Sequence, residues 1–359
     1  MARILVAMSG GVDSSVAALL LREQGHEIEG AYMKNWMAER DPFGQCPWED
    51  DVADARAVAE KLGIPFRVIN LIEDYRKHVV DYLLRGYAAG VTPNPDVFCN
   101  REIKFGVFLD LARREGFDGV GTGHYARIAA GPDATRGLFE GRDPGKDQSY
   151  FLSMLRPEQI AHAWFPVGEL LKREVRAKAT DAGLATAAKK DSQGICFIGK
   201  VRMADFLREY LPEKPGAIVD PAGRVLGEHR GLHYYTLGQR RGIRVASPEP
   251  HTAYVVVEKR IATNELVIGY DRPETAGLYA RRAVLTSLSA AGAALPEHAL
   301  IEARPRYRAP RVGIEFRSRG DGSAEVEFSV TQRALAPGQI CALYDGTQLL
   351  GGGVFSEIG

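Results

Sequence analysis

Cysteine is scarce in this chain: 359 residues hold four, Cys46, Cys99, Cys196 and Cys341, widely scattered. They form no C-x-x-C pair and no Cys/His cluster at metal spacing, which argues against a structural zinc. In a reducing compartment such cysteines are ordinarily small buried hydrophobes, so chemistry at any of them has to be argued from its neighbours. Long apolar runs are also missing. None approaches the ~18 residues of a membrane span, and the N-terminus enters a strand without a basic segment or cleavage site. A cytoplasmic protein without membrane contact is expected. Net charge is absent as well, with Lys+Arg and Asp+Glu both at 46. The balance gives no sign of a polyanionic partner, although a basic patch on one face would vanish in that sum. No internal repeat or low-complexity tract occurs. The length suggests two or three domains, and 45% hydrophobic residues are enough for a large core.

What is present is concentrated at the start. The apolar run Ile4-Leu5-Val6-Ala7-Met8 reads as a buried strand, and the periodic stretch Val16 to Leu21 reads as a helix. Between them lies Ser9-Gly10-Gly11-Val12-Asp13-Ser14. Two glycines allow a tight turn and close backbone approach, and the free N–H groups of a helix start favour an anion, most often phosphate. Ser9, Ser14 and Ser15 are expected to point outward at the same spot. This is not the common phosphate loop, which needs a lysine after its last glycine. No lysine follows here. Gly141 to Lys146 has the wrong glycine spacing, and Asp147 stands where Ser or Thr belongs.

Up to about residue 125 the pattern alternates strand and helix. Strands are expected near Ile28 to Met33, Phe66 to Leu71 and Gly119 to Thr122, the last of the set. Helices are expected over about Glu49 to Leu62, Tyr75 to Ala89 and Ile103 to Arg114, stopped by Gly63, Gly90 and Gly116. Repeated βα units imply a parallel sheet with ligands beyond the carboxyl ends of its strands. The first loop, Met33-Lys34-Asn35 and Gly121-Thr122-Gly123-His124 are therefore expected to converge. Tyr125 to Gly141 reads as a hairpin, and helices follow around Pro157 to Ala163, Lys172 to Ala182 and Val201 to Tyr210. Beyond Pro212 the helices stop and short alternating runs such as Tyr254 to Glu258, Glu265 to Ile268 and Glu325 to Val330 indicate small β domains. The expected division is 1–209, 210–274 and 275–359.

Two further stretches carry candidate chemistry. In Thr92-Pro93-Asn94-Pro95-Asp96-Val97-Phe98-Cys99-Asn100, two prolines hold the chain extended. Cys99 then falls just before a helix, where the dipole favours the thiolate, and Asp96 is placed to act as a base or to orient an N–H. A Pro-rich loop capping a helix over an inert, buried Cys99 fits these residues equally well. In Lys189-Lys190-Asp191-Ser192-Gln193-Gly194-Ile195-Cys196, a cysteine near positive charge suits a persulfide or disulfide partner, whereas the following Phe197 and Ile198 argue for burial. Lys146-Asp147-Gln148-Ser149-Tyr150-Phe151 ends in aromatics that suit splayed bases, or is a solvated turn. Arg304, Arg306 and Arg308, read as a strand, share one face and with Arg311 make a positive stripe, or a solvated strand face.

S-G-G-V-D-S resembles the pyrophosphate loop of the ATP-pyrophosphatases. Taken with T-P-N-P-D-x-x-C-N, G-T-G-H-Y, K-D-Q-S-Y-F, D-S-x-G-I-C-F-I-G, T-L-G-Q-R and a terminal G-G-G, in this order and nearly end to end, it makes the chain resemble the tRNA-specific 2-thiouridylases (the MnmA/TrmU family). The resemblance implies an α/β fold: an N-terminal parallel-sheet adenine-nucleotide-hydrolase-like domain, a small central β domain and a C-terminal β barrel contacting tRNA. It implies ATP at Ala7, Met8, Ser9, Gly10, Gly11, Val12, Asp13, Ser14, Met33 and Gly123, with Mg²⁺ on the phosphates. It places the flipped wobble uridine of tRNAs for Lys, Glu and Gln at Asn94, Pro95 and Asp96, and makes Cys99 the nucleophile and Cys196 the persulfide carrier. His124, Lys146, Asp147, Gln148, Arg306, Tyr307 and Gln339 fall where the family contacts tRNA.

By the same resemblance, the uridine C2 oxygen is adenylated with release of pyrophosphate. Sulfur from the Cys196 persulfide replaces that oxygen, AMP leaves, and Cys99 closes a Cys99–Cys196 disulfide that an external reductant opens. The partners implied are tRNA and a persulfide donor, either a cysteine desulfurase or a sulfur relay protein. Two rivals fit parts of the pattern: an amidating synthetase with the same loop, which needs an ammonia source, and a non-catalytic nucleotide-binding module with inert cysteines. Pyrophosphate release that depends on tRNA excludes both.

Overall fold

The computed structural model describes residues 1–36, 47–130, 136–191, 203–249 and 251–359. Its first part is organised on β1 (Arg3–Ala7), where Ile4, Leu5 and Val6 are wholly shielded. β1 pairs in parallel with β2 (Glu27–Lys34), beyond which lies β3 (Phe66–Asn70), and on its other side with β4 (Gly119–Gly121). Leu5 and Ala7 enter one core, whereas Ile4 and Val6 enter another on the opposite face. A strand covered on both faces must be apolar throughout, which is why it reads as an unbroken run. The crossovers are α1 (Val12–Glu23) and α2 (Pro47–Leu62). Gly63, Gly90 and Gly116 adopt the left-handed conformation expected of helix stops, with φ of +62°, +78° and +79°.

The chain next forms a hairpin, β5 (Ala126–Ala130) and β6 (Arg136–Glu140), and returns to the first sheet as β7 (Ala163–Trp164). The sheet order is β3-β2-β1-β4-β7. Gly119–Gly121 is therefore not its last strand, and two residues are too few to show a strand period. The central part is a four-stranded sheet of β8 (Gly216–Val219), β9 (Val225–His229), β10 (Tyr254–Arg260) and β11 (Glu265–Tyr270). Among the described residues beyond Pro212 the helical structure is one short 3₁₀ turn, Leu232–Tyr234.

The C-terminal part is a closed barrel. β12 (Tyr279–Ala290), β13 (His298–Arg304), β14 (Val312–Ser318), β15 (Ala324–Arg333), β16 (Ile340–Asp345) and β17 (Gln348–Ile358) run in the order β12-β15-β14-β13-β16-β17, and β12 also pairs with β17. Closure removes the exposed edges. The β5–β6 hairpin adds to this barrel through Leu138↔Leu349, so one sheet joins the first part of the molecule to the C-terminal part.

Two helical segments differ from expectation. The helix expected from Tyr75 begins at Ile72 and widens into i→i+5 turns over Arg76–Val80 before continuing as Asp81–Ala88. More consequentially, the stretch after Asn94 is not extended. Pro95 takes the first helical position, Asn94 caps it by accepting the Val97 N–H at 3.3 Å, and Pro95–Phe98 runs directly into the wide-turned Cys99–Val107. Cys99 therefore lies a full turn inside a helix instead of ahead of one. That run is broken at Gly106 (φ −105°, ψ −105°), and the buried Gln159 amide donates to the carbonyls of Arg101 and Phe105, both at 2.7 Å. It satisfies these carbonyls beside the irregular turn.

Candidate active site

The loop after β1 is shaped by close backbone contacts. At Gly10 φ is +72°, and a Cβ there would lie 2.3 Å from the Asp51 carbonyl oxygen. Gly11 caps α1 without a side chain, so no side-chain acceptor takes the first N–H groups of the helix. Those donors and the dipole behind them suit an anion. Ser9 is exposed, but Ser14 and Ser15 do not point outward as expected: both hydroxyls turn back to the Gly11 carbonyl, at 3.0 and 2.9 Å. Buried hydroxyls have to find an acceptor, and this carbonyl serves both. Gly123 closes the loop from β4, where a Cβ would stand 2.6 Å from Asp13 C and 2.7 Å from Ser14 N. Met33 is buried at the end of β2, and Asn35 just beyond it is 1% exposed, with neither side-chain oxygen nor nitrogen partnered among the described residues. The three expected segments do meet at the carboxyl edge of the sheet.

An ion cluster lies beside this loop. Lys172, the first residue of the Lys172–Asp181 helix, places Nζ 2.7 and 2.8 Å from the two Asp13 carboxylate oxygens and 2.9 Å from Asp191. The Tyr125 hydroxyl donates to Asp13 at 2.7 Å, while Lys146 and Arg176 hold Asp191 at 2.7 and 2.8 Å. Burial alone would raise the Asp191 carboxyl, but the hydrogen bonds from Lys146 and Lys172 outweigh it and lower it to about 2. With a depressed folded pKa, the carboxylate's contribution is complete above its unfolded value and is lost as pH falls through about 2. Asp191→Asn is expected to trail the wild type by at most about 2 kcal/mol near neutral pH, the gap closing between about pH 4 and pH 2. Urea midpoints across that range test this, and a gap independent of pH would count against it.

The Thr92–Asn100 segment is held by all three parts of the molecule. Thr92 donates its N–H to Pro337 at 2.9 Å, accepts from the Gln339 amide at 2.6 Å, and meets Thr236 hydroxyl to hydroxyl at 3.2 Å. Thr236 opens T-L-G-Q-R, whose Arg240, with Arg333, pairs with Asp271. Cys99 is fully buried and packs in the same core as Ala7 and Met33. Asn100, also buried, donates to the Phe151 carbonyl at 3.0 Å and accepts from Lys104 at 2.8 Å. Cys46 and Cys196 lie outside the described residues, and with Cys196 the expected approach of the two cysteines.

Several residues expected at a tRNA surface have internal partners. Asp147 is buried and accepts from Arg304 at 2.6 Å, and Gln148 accepts the Tyr125 N–H at 3.0 Å. His124 is buried between Phe105 and Phe165 with Nδ1 2.7 Å from the Thr122 hydroxyl. Desolvation holds it well below the usual histidine range, helped by Lys104, so it is neutral at physiological pH. Arg306 is exposed and donates to the Arg333 carbonyl, while Tyr307 packs on Phe151 with ring centroids 4.3 Å apart. The arginine stripe is not a strand face. β13 ends at Arg304, the chain turns through Arg308 at φ +62°, and Arg304 and Arg311 both pair with Glu140. Alternation along a strand face ends where the strand ends.

Three family models cover the chain in succession: a tRNA methyl transferase HUP domain over residues 2–200, a tRNA methyl transferase PRC-barrel domain over 204–270 and an aminomethyltransferase β-barrel domain over 284–355. A relative from Akkermansia muciniphila, named tRNA-specific 2-thiouridylase MnmA, is 59% identical over 360 residues, covering 100% of this chain and 99% of the relative. The chain belongs to the MnmA family. The models' wording speaks of methyl transfer and the relative's name of thiolation; the end-to-end identity decides for the MnmA enzymes. Among solved structures, a 4-thiouridine synthetase–RNA complex with bound ATP is 18% identical with a TM-score of 0.33, over 58% of this chain and 50% of that one. An NMN synthetase from Francisella tularensis is 16% identical with a TM-score of 0.32, over 53% and 66%. Within this MnmA-family chain, sequence reasoning missed Lys172, Tyr125 and Arg176. Lys172 stands 159 residues beyond Asp13, and only the helix start at Leu171-Lys172 marks it.

Proposed function

We propose that the chain is an ATP-dependent tRNA-uridine 2-sulfurtransferase acting on the wobble uridine of tRNAs for Lys, Glu and Gln. The observation that carries this is the glycine-lined start of α1, free of any side-chain cap, at the same sheet edge as Asn35, whose buried amide is unpartnered among the described residues; Ala7, at the end of β1, shares a core with Cys99. The fit to ATP rests on that geometry. The α1 N–H groups suit phosphate, and Asn35 keeps a buried donor and acceptor that a nucleotide would satisfy. ATP supplies the activation that turns the uridine C2 oxygen into a leaving group, with AMP and pyrophosphate as products. Mg²⁺ enters with the triphosphate, as that ion commonly does; among the described residues no three His, Cys, Asp or Glu groups converge on one point.

Asp96, on the first helical turn after Asn94, orients the N3 proton of the uridine, and Asn94 and Pro95 shape the pocket around the base. Cys196 delivers persulfide sulfur from an external donor, and Cys99 releases it by taking up the disulfide. Among the described residues no helix is long and apolar enough to cross a membrane, and the reading places the enzyme in the cytoplasm. The test is mass analysis of tRNA incubated with the protein, ATP, Mg²⁺ and a persulfide source. Expected is one oxygen-to-sulfur exchange per tRNA, requiring ATP, with pyrophosphate release requiring tRNA. Pyrophosphate released equally without tRNA, or no gain of sulfur, would overturn the proposal.

A further inference from the structure

We propose that Lys172 grips the outer phosphates of the nucleotide and stays with the pyrophosphate as it leaves, a role that rests on the ATP-dependent reading above. The loop between β1 and α1 has helix N–H groups but no lysine of its own. Folding brings one. Asp13 lies in the first turn of α1, so the Lys172 ammonium, bound to both its oxygens, sits at the positive end of a helix dipole. A cation there is disfavoured unless anions hold it. The three ammonium donors are matched by three carboxylate oxygens, two from Asp13 and one from Asp191.

The cluster is built so that this ammonium is free to change partners. Lys146 and Arg176 retain Asp191, and the Tyr125 hydroxyl retains Asp13, so neither carboxylate is stranded when Lys172 turns away. The Lys172 backbone is fixed by its N–H to the Asp143 carboxylate at 2.9 Å, which leaves the four-carbon stem to move the charge. Independently, the buried amide of Asn35, unpartnered among the described residues at the same sheet edge, marks a site that a ligand would complete. Lys172 makes and breaks no covalent bond; it offsets negative charge on the departing phosphates.

Calorimetric titration of the wild type, Lys172→Met and Lys172→Arg with ATP, pyrophosphate and AMP tests this. Lys172→Met is expected to weaken ATP and pyrophosphate by about 10- to 100-fold and to leave AMP within about twofold, with Lys172→Arg recovering part of the loss. Equal weakening of ATP and AMP, or unchanged ATP affinity, would reduce Lys172 to a structural ion pair. Wild-type protein that binds neither ATP nor AMP would sink the ATP-dependent reading and this proposal with it. Should Lys172→Met not fold, Asp191→Asn decides. Freed from one competitor, Lys172 is expected to bind ATP about threefold more tightly with AMP unchanged, and unchanged or weaker ATP binding overturns the role.

Discussion

Alanine in place of Gly123 is expected to lower ATP-dependent turnover by about 100-fold or more while the chain stays folded. The added methyl would stand 2.6 Å from Asp13 C and 2.7 Å from Ser14 N, both backbone atoms at the start of α1. Backbone cannot swing aside as a flexible side chain can, so the helix start or the Thr122–His124 turn has to shift. Overpacking of this kind costs about 1–3 kcal/mol, which a domain of this size survives. Displacing phosphate donors by ~1 Å is another matter, since misplacement on that scale costs on the order of 100-fold in rate. Pyrophosphate release and thermal melting, measured together, separate the two effects. Gly313→Ala on β14, where the new Cβ would meet the Ser329 hydroxyl at an ordinary 3.4 Å, is the control and should turn over normally. Full turnover by Gly123→Ala would show that the loop is not where phosphate binds.

Asp147→Ala is expected to destabilise the junction between the first part and the barrel by about 3–5 kcal/mol. The carboxylate accepts the N–H groups of Gly141 and Ser149 at 2.9 and 3.1 Å, the Ser149 hydroxyl at 3.0 Å and the Arg304 guanidinium at 2.6 Å. Its removal leaves buried donors without an acceptor and Arg304 with Glu140 alone. Asp147→Asn keeps an acceptor oxygen but not the charge and should fall between. Urea unfolding gives the loss, and tRNA binding at a temperature where both proteins are folded gives the contrast. A variant that melts like the wild type but loses tRNA affinity would return Asp147 to the RNA surface.

Much of the first sheet was legible because its central strands, β1 and β4, are buried on both faces. Ile4 to Met8 is apolar without interruption, and its neighbours are bounded by glycines that end helices in the left-handed conformation. The convergence of Gly10, Met33 and Gly123 followed from the rule that parallel strands present their carboxyl ends together. The helix start at Pro95 was misread because a proline after asparagine fits an extended segment and a first helical turn equally well. What decides is whether Asn94 Oδ1 finds the Val97 N–H, and that is a matter of packing. The Arg304–Arg311 segment was misread for a related reason: alternation of charge does not show where a strand ends.

From the order of its residues alone, the chain shows most of its strands and helices, the glycine-rich turn that opens α1, the motifs around Cys99 and Cys196, and its family. All but the family are written within a window of some ten residues, where backbone sterics and hydrophobic period act, and the family is carried by the order of such motifs along the whole chain. Only the tertiary structure decides that Lys172 answers Asp13, that Gln339 and Thr236 brace Thr92, and that the β5–β6 hairpin extends the C-terminal barrel. Those contacts join residues more than a hundred positions apart. Their partners are selected by the burial and hydrogen-bond satisfaction of the whole fold, and no local pattern encodes that selection.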